Sequence, residues 1–113
     1  MTKVERHAEI CKELNELYAK KNHDYGDSFH KTYLEEGLAM ARIRLGDKLE
    51  RFKNLSKHIN ERAAVSDESM VDTLKDLANY AMMTIMEIDG GEYDDVGCYF
   101  QSLMQDKGGA RQR

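Results

Sequence analysis

The chain has 113 residues, a formal net charge of -4, 34% charged residues and no proline. That length bounds a single domain with a modest core. The acidic balance excludes a general attraction to nucleic-acid phosphates or anionic membranes, so neither direct nucleic-acid binding nor membrane binding is expected. No apolar stretch approaches the ~20 residues of a bilayer span. Free nucleotides are not excluded, because a bound cation can reverse the local sign of charge. Cys11 and Cys98 are the only cysteines and lie far apart, and Met1 through Glu9 is too polar for a signal peptide. A reduced, cytoplasmic setting is expected.

Plentiful Leu, Met, Glu, Lys and Ala without proline predict an all-α, four-helix, bundle-like fold. Val4, Ala8, Cys11, Leu14 and Leu17 or Tyr18 recur at helical spacing and predict a first helix over about 4–21. Asn22 to Ser28 is dense in turn formers and predicts a break. A long second helix is expected over about 32–60, capped by Ser28 or Thr32. Thr32 and Glu35 have the spacing of a capping box, and Gly37 or Gly46 marks a kink or a close approach. A polar link, 61–67, leads to a third helix over about 66–89 that stops at Gly90-Gly91. A shorter fourth helix is expected over about 94–105, with Val96, Tyr99, Phe100 and Leu103. The domain is thus expected over 1–106, followed by a flexible tail, 107–113.

At ~100° per residue the two long helices each divide into two faces. On the second, Leu38, Ala41, Leu45, Leu49, Phe52, Leu55 and Ile59 form the expected core arc, opposite Met40, Ile43, Asp47, Glu50 and Asn54. On the third, Met70, Leu74, Leu77, Ala78, Ala81, Ile85 and Ile88 form the expected core arc, opposite Asp72, Asp76, Asn79, Met83 and Met86. Apolar residues among the acids predict that this second face is covered too. A neighbouring subunit is one source of cover, which makes a homo-oligomer, dimer or tetramer, the expectation.

Asp47 and Glu50 share a face at i, i+3, as Asp72 and Asp76 do at i, i+4, with Glu68 one turn earlier. Two readings stand side by side. If the helices pack antiparallel the acids converge, and such a cluster calls for a hard cation, Mg²⁺ or Mn²⁺. Alternatively Lys48, Arg51 and Lys75 pair with them in a surface salt-bridge lattice. His7, His23, His30 and His58 share no metal-ligand spacing and read as surface residues.

Three strings carry a resemblance: Asp24-Tyr25-Gly26-Asp27-Ser28-Phe29, Arg42-Ile43-Arg44-Leu45-Gly46-Asp47-Lys48-Leu49-Glu50-Arg51, and Glu68 through Tyr80. They resemble the phage and bacterial nucleotide modification associated domain, which is similar to the all-α nucleoside triphosphate pyrophosphatases of the MazG and dimeric dUTPase superfamily. The resemblance covers about 22–88. It implies an oligomeric helical bundle that hydrolyses a (deoxy)nucleoside triphosphate to monophosphate and pyrophosphate, in phage or bacterial nucleotide metabolism and, if phage-encoded, in the host cytoplasm. By position, Asp47 and Glu50 match the first acidic pair and Asp72 and Asp76 the second. Two departures stand out. Asp47-x-x-Glu50 replaces the usual Glu-x-x-Glu, and Thr73 occupies the Glu position of Glu-x-x-Asp.

If the site is catalytic, Asp47, Glu50, Asp72 and Asp76 form its metal-ligand set. Asp72 or Glu68 positions or deprotonates the attacking water, the two roles being exchangeable. Lys48, Arg51 and Lys75 are candidates for phosphate contact and Asn79 for sugar or phosphate. Tyr25 is a candidate to stack on a base whose edge Asp24 or Asp27 reads. Tyr80 points away from Asn79 and reads as packing. Two other classes compete: a domain that binds or sequesters a nucleotide without turnover, and a helical protein-interaction module.

Overall fold

The structure, a computed structural model, describes residues 1–25, 27–57 and 68–90, with the side chains of 23–25 left undescribed. The described residues are all helical apart from short ends and turns: α1 (Lys3–Tyr25), α2 (Ser28–Glu36), α3 (Leu38–Lys57) and α4 (Glu68–Asp89). Among them no helix is long and apolar enough to cross a membrane. The chain divides into two units, one of residues 1–28 and 91–113, the other of residues 29–90.

In the first unit α1 begins at a reciprocal cap. The Glu5 amide donates to Thr2 Oγ1 at 3.0 Å and the Thr2 amide to Glu5 Oε1 at 2.7 Å. Two otherwise orphaned amides are thereby satisfied, as the Thr-x-x-Glu spacing allows. Arg6 reaches both Glu9, at 3.1 Å, and Glu13, at 3.3 Å, and these hydrogen bonds hold its guanidinium above its ordinary pKa. Leu14 is buried and Leu17 and Tyr18 are half-buried, whereas Val4, Ala8 and Cys11 are exposed. Cys11 therefore does not occupy the apolar position its spacing suggests; its Sγ lies 3.7 Å from His7 Nδ1. The expected break over 22–28 is also shorter, since α1 continues to Tyr25. Asn, His and Asp each disfavour helix by only a few tenths of a kcal/mol, too little to stop one that still gains a backbone bond per residue.

In the second unit the long helix expected over 32–60 is two helices. Gly37 adopts φ +69° between α2 and α3. Its amide donates to the Tyr33 carbonyl at 2.7 Å, and its carbonyl accepts from the Met40 amide at 3.1 Å, ending one helix and opening the next. Gly46, the other expected kink, lies inside α3 with no irregularity of its own. Gly90, φ +68°, closes α4 where the Gly-Gly pair predicts a stop. The expected link 61–67, the expected helix 94–105 with Cys98, and the tail 107–113 lie outside the described residues.

Helices α3 and α4 run antiparallel, as the cross-links Lys48–Asp76 and Arg51–Thr73 require. Their packing reverses the sides expected for α4. Thr73, Asp76, Tyr80, Met83, Thr84 and Glu87 fall within ~100° of arc and are buried or half-buried, as is Asn79 beside them. On the expected core arc Leu74, Ala81, Ile85 and Ile88 are exposed, Ile85 by 57% and Ile88 by 61%; Met70 is buried and Leu77 and Ala78 half-buried. On α3 the arc is closer to expectation, with Ala41 buried and Leu45, Phe52 and Leu55 half-buried, but Leu38 and Leu49 are exposed and Met40 is buried.

The cause is α2, which lies on the Met-bearing side. Phe29, Met40 and Ala41 form the buried cluster, with Tyr33, Tyr80 and Met83 packed against it. The Phe29 and Tyr80 rings stack at 5.9 Å and 25°. His30 Nδ1 meets both carboxylate oxygens of Glu87, at 2.9 and 3.0 Å, tying the start of α2 to the end of α4. Of the second faces expected to be covered, Met40 and Met83 are, by a helix of the same chain, while Ile43, Asp47, Glu50, Asn54 and Asp72 are exposed.

Candidate functional site

Unmatched acids on a helix face repel one another, so their placement and partners decide what the site can do. Asp76, on the inward arc of α4, meets the Lys48 ammonium of α3 at 3.2 Å, with 20% and 27% of the two side chains exposed. One turn along, Arg51 Nε donates to Thr73 Oγ1 at 3.2 Å. Thr73 is only 3% exposed, and its hydroxyl also donates to the Ser69 carbonyl at 2.7 Å. Asn79 is 7% exposed, one turn beyond Asp76. Two cationic side chains, a buried hydroxyl and a buried amide thus line one side of the α3–α4 pair.

The other expected ligands stand apart. Asp47, Glu50, Glu68 and Asp72 are exposed. Glu50 pairs loosely with Lys53 at 3.6 Å. Among the described residues no three His, Cys, Asp or Glu side chains come together to hold a metal ion. Nor does any buried side-chain nitrogen or oxygen there lack a partner. Of the expected set, Asp76 is half-buried and faces the Lys48 ammonium, and the other four carboxylates face water. Lys75 is half-buried and Asp27 exposed, while the side chains of Asp24 and Tyr25 lie outside the described residues.

Residues 21–88 match the family described as nucleotide modification associated domain 1, which is more than half of the 113-residue chain. The chain belongs to that family. The match runs from the last turns of α1 through α2, α3 and nearly all of α4, so this domain includes every residue lining the site just described. No curated protein matches the chain, and no solved structure matches it.

Two features of the domain escape a reading of its sequence, whereas one feature outside it does not. His30, which looks like a surface residue, is bonded to Glu87; only the 57-residue separation hides the pair. Thr73, which looks like a departure from an acidic motif, is a buried junction between α3 and α4. The Thr2–Glu5 cap carries an open signal in its spacing, the same one that Thr32 and Glu35 display.

Proposed function

We propose that this nucleotide modification associated domain binds a nucleoside triphosphate along the side of the α3–α4 pair that carries Lys48, Arg51, Asn79 and Asp76. The observation that carries the reading is the pairing of two cations of α3 with half-buried or buried polar partners of α4. Asp76 and Thr73 hold Lys48 and Arg51 in place, and each cation has further N–H donors with which to meet a phosphate oxygen while keeping the partner it has. Arg51 offers a planar fork suited to phosphate, and Lys48 a point charge. Asn79 carries both donor and acceptor, which suits a sugar hydroxyl or a base edge. Membership of the family supports a nucleotide as the ligand.

The spacing of Asp47, Glu50, Asp72 and Asp76, with Glu68, favours a second reading, cleavage of the triphosphate to monophosphate and pyrophosphate with Mg²⁺ or Mn²⁺. That reading requires the acids to gather further than they do in one chain. It derives its support from the likeness of these strings to the all-α pyrophosphatases.

Calorimetry of the full chain with each deoxy- and ribonucleoside triphosphate, with and without Mg²⁺, tests the first reading, and pyrophosphate release tests the second. Binding that Lys48→Met and Arg51→Met weaken, with the ligand recovered intact, supports a binding domain. Pyrophosphate release lost in Asp76→Ala supports the hydrolase. The absence of binding to any of them sinks both.

A further inference from the structure

Of the charged residues of α3 only Arg44 and Lys48 are half-buried. Lys48 has the Asp76 carboxylate for a partner. Arg44 differs: among the described residues no hydrogen bond or ion pair reaches its guanidinium. The cause is register. Lys48 meets Asp76 and Arg51 meets Thr73, so each step along α3 is a step back along α4, and Arg44 stands level with Tyr80. Residues 77–86 of α4 contain no acid. The inward carboxylates on either side of that gap are engaged elsewhere, Asp76 by Lys48 and Glu87 by His30. Asp47, three residues on from Arg44, is exposed, and no ion pair joins the two. A partly desolvated guanidinium without a counter-charge is unfavourable, and an anion from solution relieves it.

Arg44, Lys48 and Arg51 follow one another at i, i+4 and i+7. They fall within ~60° of arc and span ~10 Å along the helix axis. One phosphate reaches only part of such a stripe, whereas a chain of phosphates can lie along it. The two ends of the stripe differ. By the same register the buried amide of Asn79 stands within one residue of the level of Arg44, and Thr73 marks the level of Arg51. Asn79 carries both donor and acceptor and suits the nucleoside, so the sugar belongs at the Arg44 end. We infer that Arg44 is the third cation of the nucleotide site and holds the phosphate next to the sugar, with Lys48 in the middle and Arg51 at the terminal phosphate. The inference rests on the nucleotide-binding reading above and gives the ligand a direction along α3. Arg44 then serves the phosphate that di- and triphosphates share, and Arg51 the one that only the triphosphate has.

Calorimetry of the full chain in EDTA, with each common deoxynucleoside as its di- and triphosphate, tests this; EDTA prevents metal-dependent turnover. Arg44→Met is expected to weaken both ligands by a similar factor of about tenfold. Arg51→Met is expected to weaken the triphosphate by about tenfold and to leave the diphosphate as the parent binds it. Arg44→Lys keeps the charge without the planar fork and recovers part of the loss. Arg44→Met keeps most of the apolar stem and removes an unmatched charge, so its urea midpoint is expected at or above that of the parent. An Arg44→Met chain that binds as the parent does, or that loses affinity for the triphosphate alone, overturns the inference while the site at Lys48 and Arg51 stands. A lowered midpoint with unchanged affinity overturns it too, since Arg44 then only packs. A parent chain that binds no nucleotide removes the site itself.

Discussion

Lys48 and Asp76 link the second unit at the level of single side chains, and their burial sets what the link contributes. With 27% and 20% of the side chains exposed, the pair lies between a solvated ion pair, worth under ~1 kcal/mol, and a fully buried one. Asp76→Asn is expected to lower stability by about 1 kcal/mol, and Lys48→Met in the same chain to restore part of the loss. A double-mutant cycle by urea denaturation measures that coupling, and additivity of the two single losses would show that the pair does not interact. Thr73→Val keeps the shape of its side chain and removes its oxygen. Arg51 Nε then lacks its partner beside α4, for an expected loss of about 1 kcal/mol in the same assay. Asn at 76 or Val at 73 leaves nucleotide binding intact if these residues merely join helices. A loss of affinity larger than the loss of stability places them in the site.

At the scale of the element, the two glycines of the long apolar stretch 38–60 and its approach behave oppositely. Gly37 adopts φ +69° and a Cβ there would meet nothing within 4 Å, so Gly37→Ala is expected to cost about 1–2 kcal/mol through its backbone alone. Gly46 lies mid-helix with equally open space, and Gly46→Ala is expected to stabilise by about 0.5–1 kcal/mol. Thermal denaturation of the two variants reads both signs; a stabilising Gly37→Ala would show that α2 and α3 are one helix. Sequence spacing names both glycines without separating them, since which one turns depends on where Phe29 and Tyr33 find partners. The cap of α1 is legible from Thr2 and Glu5 directly. Thr2→Ala is expected to cost about 1 kcal/mol of local helix stability, seen as faster amide exchange over the first turn of α1.

At the scale of the whole molecule, an exposed apolar face makes stability depend on concentration only where a second copy covers it. If two copies dock through α4, the melting temperature rises with protein concentration in the parent chain and not in Ile85→Glu. A parent melting temperature independent of concentration over a hundredfold range would contradict that. Helix α2 covers the side with Met40 and Met83, whereas Leu74, Ile85 and Ile88 of α4 are exposed.

Composition and spacing by themselves determined the helices of the described residues, the stop at Gly90, the family strings between 21 and 88, and which residues of each helix share a face. Those properties are local, set by propensity, capping and 3.6-residue periodicity. Only the tertiary structure decided which face of α4 turns inward. Helical phase fixes angles between residues of one helix but carries no reference direction toward a neighbour, and α4 offers two apolar-bearing arcs. Aromatic stacking of Phe29 on Tyr80, the His30–Glu87 link and the Arg51–Thr73 bond selected the less apolar one. That same choice brought Asp76 to Lys48 and left Asp47, Glu50, Glu68 and Asp72 in water, because meeting across two helices depends on register and rotation that no single helix encodes.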